Sequence, residues 1–379
     1  MKKIFIIAGE ASGDVLGGRL MRALQAQRDD LEFAGIGGPQ MAEAGLVSQF
    51  PMQELAVMGL AEILPRLIPL RRRIRQTIAA IRAGRPDLVV TIDSPGFTLR
   101  VLKGIQDLGV KRMHYVAPQV WAWRQKRVKR YPGLWDELLC LLPFEPEFFA
   151  KHGLHPKFTG HPVLESGANQ GVAERFFATH KILRSATPVV IMPGSRVTET
   201  TRLMPVFRQT MARLQLDIPN LVPVLAAAPG IADAAAAMTA DWPVEPIIVR
   251  DEAARYDAFA AAKAALTKSG TSTLELAMAG VPMAVTYRVN PISGGLARRM
   301  IKVKYVAMIN LLAGHELVPE LLQQDCTPEK LAATLHTLLT DGQAAQAQRE
   351  GFAPALNSLH TSQSIPSEAA AAAILAHLA

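Results

Sequence analysis

Cysteine is scarce: Cys140 and Cys326 are the two in 379 residues. That number excludes a disulfide framework and a zinc-ligand set, and it fits buried thiols in a reducing compartment. Long apolar runs are missing too. Spanning a bilayer takes roughly 20 consecutive apolar residues, and even the stretch 221–238 is broken by Pro223, Pro229, Gly230 and Asp233. The opening MKKIFIIAGEASGD has too short an apolar run for a signal peptide, with Glu10 and Asp14 interrupting it. A cytosolic protein or one lying on a membrane surface is expected. No internal repeat is visible, no metal-ligand spacing occurs, and the first glycine-bearing turn lacks the GxGxxG spacing of a dinucleotide site. Neither metal nor cofactor is expected.

What is present describes a packed globular chain. Hydrophobic residues make up 49% and charged residues 20%, which excludes wholesale disorder. The length exceeds what one core organises, so two domains are expected. A mean hydropathy of +0.15 is slightly high, through large cores or through apolar surface kept for a lipid. The net charge is +8, and its excess is clustered. Arg71, Arg72, Arg73 and Arg75 form one group; Arg124, Lys126, Arg127, Lys129 and Arg130 a second; Arg298, Arg299, Lys302 and Lys304 a third. An anionic partner follows, whether nucleic acid, anionic lipid or a phosphorylated substrate.

Short β-branched runs alternate with helical patterns, the mark of parallel sheets covered by helices. Strands are expected at 3–8, 32–34, 88–92, 112–116, 138–142 and 157–158, and again at 189–192, 222–226, 247–249, 264–267 and 283–287. Helices in the first half should begin near Asp14, Gln53, Thr98 and Pro146. The reading is α/β, with two doubly wound Rossmann-like domains: residues 1–166, a linker at 167–187, a second domain at 188–350, and a C-terminal helical segment at 351–379 packing on the body. Ligands of such sheets collect at the carboxyl ends of the strands.

In the second domain a buried strand ends at Thr267, and the turn Lys268-Ser269-Gly270-Thr271-Ser272-Thr273 leads into a helix. Gly270 lets backbone approach a ligand, and the hydroxyls can cap the helix or donate to phosphate oxygens. Glu275 lies near enough to bond a ribose, while Gly280 stops the helix and Pro282 leads into the strand ending at Tyr287. An ordinary capped strand–helix unit would look similar, but the full run in register favours a nucleotide-diphosphate cradle like the donor half of GT-B glycosyltransferases and their epimerase relatives. A second anion site is offered at Pro193-Gly194-Ser195-Arg196, where Arg196 can hold phosphate oxygens with two nitrogens.

In the first domain the turn Gly9-Glu10-Ala11-Ser12-Gly13-Asp14 follows the first strand, and its carboxylates suit sugar hydroxyls better than phosphate. Asp93, at the end of a central strand, reads either as a helix cap or as a general base for an attacking hydroxyl. Between His114 and Arg127, with Gln119, Trp121 and Trp123, aromatics interleave with cations, a pattern suiting RNA stacking or a membrane interface.

Taken together, GEASGD, LAVMG at 55–59, IDSP, HYVAPQVWAWRQKRV, LLPFE, GHP at 160–162, PGSR, SGTSTLE and NLLAG closely resemble the lipid-A-disaccharide synthase family over residues 4–330. The resemblance implies an inverting, metal-independent GT-B transferase whose two domains face a central cleft. It would join UDP-2,3-diacylglucosamine to 2,3-diacylglucosamine 1-phosphate through a β-1,6 bond and release UDP. It makes Asp93 the catalytic base and Arg196 the phosphate-handling cation. Ser269, Gly270, Thr271, Ser272, Thr273, Glu275, Tyr287 and Asn310 fall to the UDP site. Gly9, Glu10, Ser12, Gly13, Asp14, His114, Gln119 and Trp121 fall to the acceptor. One departure stands out: the family pattern IDxPDF has Gly96 here in place of its second aspartate.

Acylated substrates require contact with a bilayer, the anionic inner face of the cytoplasmic membrane. Met58, Leu64, Leu67 and Ile68, followed by Arg71, Arg72 and Arg73, form an apolar and then cationic element, which a core-facing amphipathic helix would also explain. Pro65 and Pro69 are expected to spoil a regular helix there. Rival readings are a peptidoglycan-type transferase, a UDP-sugar epimerase, or an RNA-binding protein; the transferase reading calls for no nucleic acid.

Overall fold

The computed structural model describes residues 1–55, 60–288, 302–361 and 365–378, without the side chains of 60–67 and 229. The chain forms two compact units, residues 1–162 with 359–379, and residues 163–358.

The first unit carries a six-stranded parallel sheet in the order β2-β1-β3-β4-β5-β6. Its strands are β1 (Lys2–Ala8), β2 (Leu31–Ile36), β3 (Leu88–Ile92), β4 (Lys111–Tyr115), β5 (Glu137–Cys140) and β6 (Pro156–Phe158). Ile4, Ile6, Ile7, Val89, Val90 and Ile92 are all fully buried. Parallel strands are covered on both faces, so they read as continuous apolar runs, and each such side chain contributes about 1.5–3 kcal/mol by leaving water. The sheet is flanked by α1 (Ala11–Gln27), α2 (Pro39–Glu43), α3 (Leu60–Gly84), α4 (Pro95–Gly104), α5 (Val120–Trp123) and α6 (Glu145–Ala150). Contrary to expectation, α3 runs unbroken through Pro65 and Pro69. Each proline removes one amide donor, and 25 residues rich in Leu, Ile, Arg and Ala supply enough remaining bonds to carry the helix across.

The second unit holds another six-stranded parallel sheet, ordered β12-β11-β10-β7-β8-β9. It comprises β7 (Thr187–Met192), β8 (Leu221–Ala226), β9 (Ile247–Val249), β10 (Ala264–Lys268), β11 (Met283–Tyr287) and β12 (Glu320–Leu322). Counted within the unit this is the order of a dinucleotide-binding Rossmann sheet. Strand β12 was not anticipated, since three half-buried residues after a proline give no periodic signal. Helices α7 (Ala173–His180), α8 (Val197–Asp217), α9 (Ala232–Ala237), α10 (Glu252–Ala261), α11 (Ser272–Met278), α12 (Met308–Ala313), α13 (Pro328–Thr340) and α14 (Gly342–Asn357) belong to this unit. The last helix, α15 (Pro366–Leu375), returns to the first unit and packs on α1.

Strand order reverses between β1 and β3 in one sheet and between β7 and β10 in the other. At such switch points neighbouring loops leave in opposite directions and open a crevice at the strands' carboxyl ends.

Candidate functional site

At the first unit's switch point β1 delivers Gly9 beside the end of β3. A side chain at Gly9 would place its Cβ 2.5 Å from Ser94 Oγ and 2.7 Å from Ser94 Cβ, so the close approach requires glycine. Asp93 and Ser94 both take the left-handed conformation, at φ 47° each, and Val116 after β4 does so at φ 76°. For residues other than glycine each such conformation costs about 1–3 kcal/mol and persists only where surroundings impose it. Here the Asp93 amide donates to Tyr115 O at 2.9 Å, and Thr98 Oγ1 donates to Asp93 O at 2.8 Å and Ser94 O at 3.0 Å. The strained, half-buried Asp93 thus stands at the carboxyl end of β3, at the switch point.

The expected acceptor residues divide. Glu10, half-buried at the start of α1, and the exposed Ser12 and Gln119 lie at the carboxyl ends of β1 and β4. Gly13 is buried inside α1, against Ala8 and Ile92. Asp14 proves structural: it is 3% exposed, and its carboxylate accepts the amides of Gly38 at 2.7 Å, Gln40 at 3.0 Å and Met41 at 3.1 Å, capping α2. His114 is a core residue, 0% exposed and stacked on Trp135 with centroids 5.1 Å apart. Its Nδ1 lies 2.7 Å from Thr91 Oγ1, and burial lowers its pKa to about 3, so the ring is neutral and touches no ligand surface. Trp121 is likewise buried, donating Nε1–H to Glu145 at 3.0 Å. Gly96 is exposed, and an added Cβ would meet nothing within 4 Å, so an aspartate there would fit without strain.

The second unit's switch point is held by charge. Gly194 sits at φ 114°, a conformation closed to larger residues, and turns β7 toward Arg196 at the N-cap of α8. Arg196 Nη1 donates to Glu199 Oε1 at 3.3 Å, while the Lys268 ammonium stands 3.2 Å from the same oxygen. Lys268 also lies 5.2 Å over the Tyr287 ring, whose hydroxyl pKa is raised by burial first and by Glu199 next. Two cations thus share one carboxylate at the ends of β7, β10 and β11, leaving a net positive charge. The Arg196 side chain is 48% exposed and can turn to an incoming anion. Lys268 and Glu199 were not among the expected site residues, although Glu199 follows Arg196 by one helical turn and Lys268 immediately precedes the SGT turn.

That turn is open on one side. An added Cβ at Gly270 would meet nothing within 4 Å, and among the described residues the amides of Gly270 and Thr271 make no backbone hydrogen bond. Ser269 Oγ donates to Val306 O at 2.6 Å, Ser272 Oγ to Lys268 O at 3.2 Å, and buried Thr273 to Gly270 O at 2.9 Å, so these hydroxyls shape the turn. Glu275 accepts from Arg255 Nη2 at 3.3 Å. Asn310 departs from expectation. It is fully buried, its amide donates to Val318 O at 2.8 Å and Glu320 at 2.9 Å, and its oxygen accepts the amides of Leu317 and Val318. With its hydrogen-bonding capacity filled it fixes the loop before β12 and has nothing left for a nucleotide.

Among the expected membrane residues Met58 lies outside the described residues, as do the side chains of Leu64 and Leu67. Ile68 is 80% exposed, and Arg71 and Arg72 are exposed beside it. Arg73 is committed elsewhere: it holds Glu54 through two nitrogens, at 2.6 and 2.7 Å, and stacks over Phe50 at 4.4 Å. Among the described residues no helix is long and apolar enough to cross a membrane.

Two parallel sheets flanked by helices, each with a switch point, define a GT-B fold. Solved structures share the fold: a UDP-GlcNAc 2-epimerase from Neisseria meningitidis bound to UDP-GlcNAc has a TM-score of 0.65 at 11% identity, over 100% of this chain and 99% of its own. CalG4, the calicheamicin glycosyltransferase, has a TM-score of 0.59 at 16% identity, over 100% and 98%. The family model described as LpxB, lipid-A-disaccharide synthetase, matches residues 4–374, and the lipid-A-disaccharide synthase of Granulibacter bethesdensis is 57% identical over 98% of both chains. The chain belongs to the lipid-A-disaccharide synthase family, a family of glycosyltransferases.

Proposed function

We propose that this protein joins UDP-2,3-diacylglucosamine to 2,3-diacylglucosamine 1-phosphate, forming the β-1,6-linked disaccharide 1-phosphate and UDP. The observation that carries the reading is the full-length identity to a lipid-A-disaccharide synthase. The strained placement of Asp93 and the paired cations Arg196 and Lys268 agree with it. Asp93 takes the proton of the acceptor 6-hydroxyl as its oxygen attacks the donor's anomeric carbon. The bond from that carbon to the β-phosphate oxygen breaks, and its electron pair leaves with UDP. Arg196, Lys268 and the open amides beside Gly270 offset the charge that builds there. The uridine and ribose fall to the SGT turn and Glu275. Inversion follows from a single displacement.

Acylated substrates bring the protein to the anionic cytoplasmic face of the inner membrane. Ile68 with Arg71 and Arg72, and Trp123 with exposed Lys126, Arg127, Lys129 and Arg130, supply the apolar and cationic surface for that contact. The decisive experiment incubates the protein with both acylated glucosamines and follows UDP and disaccharide. Release of UDP only when both are present is expected. An epimerised UDP-sugar formed without acceptor would overturn the reading.

A further inference from the structure

A buried carboxylate away from the strained turn links two loops of the first unit. Glu145 opens α6 just after β5 and is 3% exposed. Its Oε2 accepts the amides of Leu141 and Leu142, both at 3.0 Å, closing its own loop. Its Oε1 accepts Trp121 Nε1–H at 3.0 Å, reaching the loop after β4. Phe144 adds an edge-on contact to the same indole, with centroids 4.8 Å apart. All three donors are neutral N–H groups. A buried charge held this way is a poor source of stability, since a well-packed apolar residue would cost less. It does specify where the β4 loop sits.

That loop carries exposed Gln119, Trp123, Lys126 and Arg127, and it leaves β4 at Tyr115, whose carbonyl accepts the Asp93 amide. We propose that Glu145 is a positioning residue for acceptor binding, holding the loop 116–127 in place relative to Asp93 through the Trp121 indole. Protonation loosens the hold. A carboxylic acid presents an O–H to partners that can only donate, and its protonated oxygen is a much weaker acceptor, so the bond made to that oxygen weakens. Burial pushes the Glu145 pKa up to about 7, with the three N–H donors opposing it, which brings the change into the working range. The ionisable neighbour on β5, the Cys140 thiol, is pushed upward by burial and by Glu145 itself, so it stays neutral there.

The inference rests on the transferase reading, and Trp121→Phe tests it by keeping the ring against Phe144 while deleting the donor. Initial rates with UDP-diacylglucosamine and diacylglucosamine 1-phosphate should show the acceptor KM raised about tenfold, the lower end of what a hydrogen bond to a charged group contributes. Donor KM should stay unchanged. In the unmodified protein kcat/KM for the acceptor should fall as pH drops through about 7, whereas Trp121→Phe should flatten that limb. Glu145→Gln brings an amide donor toward the N–H groups and should give the acceptor defect at every pH. Wild-type acceptor KM and an unaltered pH limb in both variants would overturn the inference, as would an equal rise in donor KM. Absence of turnover in the unmodified protein would instead refute the transferase reading, and the inference with it.

Discussion

The two sheets solve one geometric problem in different ways. Each gathers its candidate site at a switch point, but the first unit bends Asp93, Ser94 and Val116 into the left-handed region, whereas the turn after β7 in the second gives that conformation to Gly194. Glycine adopts it at little cost, so the turn after β7 spends almost nothing on backbone and relies on charge: Arg196 and Lys268 about Glu199. A diphosphate is large, doubly charged and tolerant of position, so paired cations and open amides would suffice for it. A base must meet one hydroxyl proton within hydrogen-bond reach, and a strained turn locked by Thr98 and Tyr115 would suit Asp93 to that proposed role.

If strain serves the chemistry in the first unit and charge serves binding in the second, the two ends should fail differently. Asp93→Asn should lower kcat by about 10²–10⁴-fold, the usual contribution of a general base, while UDP binding measured by calorimetry stays as it was. Near-normal turnover would break the comparison at once. Arg196→Ala should reduce kcat/KM by about 10²-fold and weaken UDP as well, with Lys268→Ala about tenfold, because these cations act on the leaving group before and during transfer. Equal UDP affinity in both variants would remove the second unit from the anion's path.

Smaller effects refine the picture. Gly9→Ala drives a methyl into Ser94 and should cost about 1–3 kcal/mol by urea denaturation, while Gly96→Asp, with open space around it, should stay within about 0.5 kcal/mol. A tolerant Gly9 would mean the turn is looser than its contacts imply. Least of all, Arg71→Glu with Arg72→Glu should weaken binding to anionic liposomes by about 1 kcal/mol per charge lost near the surface, and the loss should fade as salt rises. Arg73→Glu should instead destabilise the first unit, since it sets two carboxylates together at Glu54. Identical liposome behaviour of all three would count against the exposed cations as the membrane contact.

Much of this was readable from residue order. The alternation of β-branched runs with helical segments announced parallel sheets, because strands covered on both faces leave continuous apolar runs such as Ile4–Ala8. Local turn chemistry marked Gly9, Asp93, Arg196 and Gly270, since each follows a strand by one to four residues. Helix α3 was misjudged at Pro65 and Pro69, where propensity along 25 residues outweighed two missing donors. Residues whose roles depend on partners far along the chain were less legible. Asp14 caps a helix 24 or more residues away, His114 stacks on Trp135, and Asn310 ties the loop leading to β12.

The sequence by itself determined the alternation of strands and helices, the basic clusters and the motifs of the family, because these rest on neighbours in the chain. Tertiary structure alone decided which polar residues remain open at the switch points and which are consumed by structural partners. It set Asp14, His114, Trp121 and Asn310 among their structural partners, brought Lys268 and Glu199 to Arg196, and returned α15 to the first unit. The physical reason is that a polar side chain's role is fixed by which donors and acceptors folding brings within about 3 Å, and that list is not written in the order of residues.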